Sequence, residues 1–195
     1  MTRDDAYNIV KQYVNNQNLR NHMLAVEAAM KFYALQYEPE HVEKWQIVGL
    51  LHDFDWEIHP TMEDHPQKGA EILKQLNVPE DIIRAVLSHA DYTGTSRVSI
   101  MEKALFACDE ITGLITAVVM VRPSKSLMDL SVSSVKKKWK NLNFAAGANR
   151  KEIQEGAEEF GIDLWQHVEN VITAMQSIAS EIGLAGAESM IQSGE

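Results

Sequence analysis

Ile47, Val48, Gly49, Leu50 and Leu51 run without interruption into His52 and Asp53. An apolar stretch of that kind goes inside a fold, and it carries with it two side chains that seldom go inside unless something pairs with them. Two readings are open at the junction. Helix C-termini favour histidine, so His52 could simply cap the last carbonyls while Asp53 stays solvated; alternatively the pair belongs to a metal site. Company decides between them. His22, His65, His89 and Asp109 each stand in or beside an apolar helical stretch, so the pair has four possible partners.

A chain of 195 residues with 45% hydrophobic content suits one domain with a sizeable core, or a domain with an extension. The net charge of −10 argues against a nucleic-acid or anionic-membrane surface, because such partners need a basic face. A small anionic substrate would need a local positive focus, such as metal ions. Cys108 is the single cysteine, which excludes an intramolecular disulfide and a thiolate metal cluster. The first helix carries charges and has no long apolar core, so neither a secretion signal nor a span is expected, and the expected compartment is the cytoplasm.

Helical periodicity dominates the chain. Ala6, Ile9, Val10 and Tyr13 predict a helix over 3–15, ended by the Asn-rich run that follows. Residues 19–36 follow, with Asn18 as the expected cap and Leu19, Met23, Val26, Met30 and Tyr33 as the apolar stripe; His22 sits on its edge. Pro39 opens a helix to Leu51 that delivers His52 and Asp53 at its end. Adjacent residues point about 100° apart on a helix, so both can reach one metal cluster only around the helix end. Residues 54–64, with Pro60 and the acidic Asp55, Glu57, Glu63 and Asp64, read as a rim loop. His65 stands ahead of a short helix through Ala70, Leu73 and Leu76, and a further helix opened by Pro79 leads to His89.

The most hydrophobic helix is expected over 99–115 and contains Asp109, a carboxylate that must find a partner or change its pKa. The alternative is that Asp109 and Glu110 share a solvated stripe with Glu102 and Lys103. Helices over 131–139, 149–160 and 162–182 complete the pattern, with His167 structural and Lys136 to Lys138 a solvated face. The last dozen residues, rich in Gly, Ala and Ser, are expected to fray.

Taken in order, His22, His52 with Asp53, His65, His89 and Asp109 resemble the signature of the HD-domain metal-dependent phosphohydrolase superfamily, in the variant with two extra histidines. The text LLHD, then HPQKGAEIL, then IIRAVLSHAD, then SIMEKALFACDEITGL is similar to bacterial, HDIG-like members, and the likeness covers residues 19–114. The resemblance implies that His22, His52, Asp53 and Asp109 hold one metal ion and that His65, His89 and a bridging Asp53 hold a second. It also implies an all-α, single-domain HD-type bundle of about seven to nine helices, with the site where helix ends converge. In that scheme residues 1–183 form the HD domain, 19–114 its metal-binding core, 117–183 a helical extension and 184–195 a flexible tail.

Imidazole and carboxylate ligands without thiolates suit Mn, Fe, Co, Ni, Zn or Mg and single out none of them. One or two such divalent ions would let an acidic protein attract a small phosphorylated substrate, with nucleotides among the candidates. The expected activity is hydrolysis of a phosphomonoester or nucleotide-type phosphate by metal-bound hydroxide. Many relatives place a lysine three positions beyond the Asp of the pair; here that position is Trp56, between Asp55 and Glu57. Lys68, Arg97 or Lys125 are the candidate substitutes for phosphate, and Asp53, Asp55 and Glu57 are the candidate catalytic groups, the last two for proton transfer. Trp56 is expected to cap the core. Two alternatives are an HD-fold di-iron oxygenase and a non-catalytic, nucleotide-binding regulatory protein.

Overall fold

The computed structural model describes residues 1–186. Among them the regular structure is all α: nine α-helices, two short 3-10 turns and one isolated bridge between Ser126 and Ala185. Contacts divide the chain into two compact units, and the division falls between Phe106 and Ala107, inside one continuous helix.

The first unit opens with α1 (Arg3–Tyr13), started by a capping box in which Thr2 accepts from the Asp5 N–H and Asp5 accepts from the Thr2 N–H. α2 (Gln17–Tyr37) follows. Its cap is Asn16, whose side chain accepts from Asn18 and Leu19, so the helix begins two residues before the expected start. The run of asparagines therefore both ends one helix and starts the next. A 3-10 turn (Pro39–His41) leads into α3 (Val42–Leu51), the unit's central helix. Trp45, Ile47, Val48, Gly49, Leu50 and Leu51 are all buried on it, and a helix apolar on all sides lies at the middle of a core. α2 and α1 both pack on it. The α2 contact is close because of Gly49, where a Cβ would stand 2.8 Å from the Glu27 Cα. Since α3 is central, its C-terminal end, with His52, is central as well.

α4 (Gln67–Gln75) and α5 (Glu80–Ser88) pack on one another, and α5 packs on α3. Asn77, at φ +57°, turns the chain between them. α6 (Ile100–Met120) runs five residues beyond the expected end at Ile115, because Val118 and Val119 continue the buried face. Glu102 closes its start by accepting from the Val98 and Ser99 N–H groups and pairing with Arg84. It is buried, so the solvated stripe that could have absorbed Asp109 is not present at its Glu102 end.

In the second unit α9 (Leu164–Gln176) packs with α8 (Arg150–Phe160) and α7 (Val132–Trp139). Asn149 and Asp163 cap α8 and α9, and Gly161, at φ +80°, ends α8. The basic run on α7 lies over aromatic rings, Lys136 on Trp165 and Lys138 on Phe144. The described part of the expected tail is held: Leu184 is buried and accepts from the Leu127 N–H, and Ala185 pairs with Ser126. The remainder, from 187 on, lies outside the described residues. No described helix is long and apolar enough to cross a membrane.

Candidate metal centre

His52 and His89 occupy the same local position, the C-cap of an apolar helix. The last carbonyls of a helix lack intrahelical partners. Each ring meets one of them three residues back: His52 Nδ1 lies 2.8 Å from the Gly49 carbonyl oxygen, and His89 Nδ1 is bonded to that of Val86. A carbonyl only accepts, so both Nδ1 atoms carry the proton and both Nε2 atoms keep a lone pair. Capping and ligation, which the sequence left as alternatives for His52, are thus compatible roles of the two nitrogens of one ring.

At His65 the Nδ1 proton finds its acceptor by another route. The residue stands just ahead of α4, joined by a cis peptide to Pro66 at the helix N-cap, and its Nδ1 donates to Asp55 Oδ1 at 2.8 Å. Asp55 is 0% exposed. Burial draws the His65 pKa down, but the hydrogen bonds and charges of Asp53 and Asp55 together outweigh it and raise the value to about 9. Near neutral pH and without a metal such a ring holds both protons, one toward Asp55 and one toward Asp53, and a cation bound at Nε2 would displace the second.

These nitrogens converge on Asp53, and the two oxygens of that carboxylate divide them. Oδ2 lies 3.6 Å from His22 Nε2 and 3.5 Å from His52 Nε2; Oδ1 lies 3.2 Å from His65 Nε2 and 3.7 Å from His89 Nε2. Within each pair the Nε2 atoms approach to 3.2 Å, His22 to His52, and 3.3 Å, His65 to His89. Asp109, on α6, joins the first group, whose ligand atoms all fall within 4.8 Å of one another. Two sets result: His22, His52, Asp53 and Asp109, and Asp53, His65 and His89.

The donor set fits divalent cations on two counts. Ligand atoms about 2.1 Å from one ion lie roughly 3.0–3.4 Å apart at ordinary coordination angles, close to the spacings found here. Moreover, three rings have Nδ1 committed elsewhere, so each can offer only Nε2 to a cation beside the Asp53 carboxylate. Residues without thiolate, as here, leave the metal's identity open.

The remaining candidates from the sequence lie around this cluster or are engaged otherwise. Glu57 accepts from the Asn15 and Asn16 N–H groups at 2.8 and 2.9 Å, which holds its carboxyl below the usual range and ties the rim loop to the start of α2. Lys68 pairs with Asp64 on the surface. Arg97 lies over the Phe106 ring, donates to the Ser88 carbonyl and pairs with Asp91, bracing the loop after α5. Lys125 is exposed in the second unit, at φ +45°. Trp56 departs from expectation: it is 38% exposed and meets the His65 ring edge-on at a centroid distance of 4.9 Å. The core position is taken by Phe54, which is buried, so the indole lies beside the cluster and borders it.

His167 is buried and bonded through Nε2 to the Ala107 carbonyl, 2.8 Å away, in keeping with a structural role. Sequence reading missed the helix-end carbonyls of Gly49 and Val86 and the part played by Gly69, which lies against Asp55. The only available signal was the position of each histidine immediately after an apolar helix.

Residues 19–114 match the family model described as the HD domain. No curated protein and no solved structure matches the chain.

Proposed function

Because the chain belongs to the HD-domain family through residues 19–114, we propose that it is a metal-dependent phosphohydrolase acting on a phosphomonoester or a nucleotide-type phosphate. The observation that carries this reading is the division of Asp53 between two histidine pairs. Such a carboxylate suits two neighbouring cations, and two-metal sites recur where both the attacking and the departing oxygen of a phosphate must be stabilised. In this reading His22, His52, Asp53 and Asp109 hold one ion and Asp53, His65 and His89 the other. Divalent ions bound there would acidify a water and draw charge from the phosphoryl oxygens.

The protein's own part is placement and polarity. His52, His65 and His89 are buried and form the floor, whereas His22, Asp53 and Asp109 are half-buried and mark the side from which a substrate enters. The Nδ1 bonds of the floor histidines keep their Nε2 atoms aimed at Asp53, so the ligands are oriented before any ion arrives. Asp53 and Asp109 alone would repel a phosphate, which makes binding of an anionic substrate depend on the cations. Trp56, on the border beside His65, presents an apolar face at the position where a lysine would otherwise meet phosphate.

The test is a hydrolysis screen over nucleotides and sugar phosphates with Mn, Co, Ni, Zn and Mg, on protein purified without a nickel-binding tag. Metal-dependent phosphate release that falls at least about 100-fold in Asp53→Ala is expected. Undiminished turnover in that variant refutes the assignment. Two irons per chain with oxygen uptake and no phosphate release would place the protein in the oxidative class instead.

A further inference from the structure

We propose that Asp55 is a positioning residue of the metal centre: it locks His65 in the Nδ1–H tautomer with Nε2 aimed at Asp53 and His89, and Gly69 is the residue that gives it room. The inference rests on the reading of the cluster as a metal site and concerns a residue outside the two ligand sets. It starts from a difference among the three floor histidines. His52 and His89 each follow a helix and find a free carbonyl three residues back. His65 precedes a helix, where the backbone presents unpaired N–H groups and no free carbonyls. Its Nδ1 proton therefore needs an acceptor from elsewhere, and Asp55 Oδ1 supplies it at 2.8 Å.

Two further observations show that the carboxylate is built into this place. Asp55 is fully buried, and its Oδ2 has no hydrogen-bond partner. A buried carboxylate with a single partner is costly, and the charge that offsets it has to be reached through the His65 ring, on whose far side the other donors gather. Opposite Asp55, a Cβ on Gly69 would come within 2.4 Å of its Cγ, 2.6 Å of Oδ2 and 2.7 Å of Oδ1. Glycine weakens a helix interior, so its place inside α4 needs a reason, and the carboxylate is that reason. No larger residue at 69 leaves Asp55 where it stands.

The test uses the metal-stripped full chain, zinc alone as the probe, and two readouts: calorimetric zinc affinity and, well above pH 9 where the His65 ring is neutral, the imidazole tautomers from long-range proton–nitrogen NMR. In the wild type His65 is expected as Nδ1–H. Asp55→Ala should lose that tautomer preference and bind zinc about 10- to 100-fold more weakly. Asp55→Asn, whose Oδ1 can accept the same bond, should keep the tautomer and recover part of the affinity. Gly69→Ala should weaken zinc binding in the wild-type background and add nothing in Asp55→Ala, where the space has been vacated. A purely structural Asp55 would lower the melting temperature while leaving tautomer and affinity of the folded protein unchanged, and that result overturns the proposal. If the wild type shows the tautomer but takes up no zinc, the metal reading falls and takes the proposal with it. If it binds zinc and Asp55→Ala binds equally well, this proposal alone is wrong.

Discussion

The Nε2 atoms of His65 and His89 stand 3.3 Å apart on rings whose Nδ1 atoms already donate, one to Asp55 and the other to the Val86 carbonyl. The two Nε2 atoms thus meet in a buried place, beside one oxygen of Asp53. Such an arrangement is more stable with a cation than without. A divalent ion at 100 times its Kd contributes about 2.7 kcal/mol to stability. For a protein of this size that raises Tm by roughly 5–10 °C. Thermal melts with manganese or zinc, and again after chelation, measure the shift; a Tm indifferent to both contradicts it.

Asp53 is the one residue common to both ligand sets, while His22 belongs to only one. Asp53→Ala is therefore expected to empty both positions, and His22→Ala to weaken one and spare the other. Metal content per chain, measured after dialysis against a limiting concentration of zinc, separates the variants. Equal retention by both would mean that the carboxylate does not bridge.

Gly49 lets α3 approach α2, with a Cβ there falling 2.8 Å from the Glu27 Cα and 3.0 Å from its nitrogen. Both of those neighbours are backbone, which cannot rotate away. Gly49→Ala should therefore destabilise the fold by about 1–3 kcal/mol, despite alanine's better helix propensity. The same helix ends at His52, whose ring holds the Gly49 carbonyl, so zinc affinity should fall along with stability. Urea unfolding gives the first quantity and calorimetry the second; a stabilised variant would show that the helices can separate freely.

His167 supplies a pH dependence apart from the cluster. Burial pushes its pKa down to about 4, against a smaller opposing effect of the Ala107 carbonyl. Between pH 4 and 6.5 the unfolded chain takes up a proton that the folded chain refuses. Its contribution is fully present above about pH 6.5 and is lost as pH falls toward 4, by about 3 kcal/mol at most. Urea midpoints at pH 7 and pH 5 should differ in the wild type and differ less in His167→Gln. An unchanged difference would assign the acid sensitivity to other groups.

Much of the candidate site was legible in the linear text because its ligands sit at helix ends. An apolar periodic run announces a helix, and a histidine immediately after it marks the cap, which is why His52 and His89 stood out. The burial of Asp55 and the exposure of Trp56 did not show. Neighbouring residues in an irregular loop have no periodicity to say which turns inward, and here Asp55 went inside while Trp56 stayed half outside. Asn16 was passed over as a cap for a related reason: several asparagines in a row offer the same chemistry, and only backbone geometry selects one.

By itself the sequence determined the all-helical class, the order of the helices and the identity of the residues able to bind metal, since apolar spacing and side-chain chemistry are local properties. Tertiary structure decided which nitrogen of His52, His65 and His89 is tied to a carbonyl or to Asp55, how Asp53 apportions its oxygens, and that a side chain at position 69 would run into Asp55. Those depend on atoms brought together from distant parts of the chain, and a hydrogen-bond partner does not exist until the fold has delivered it.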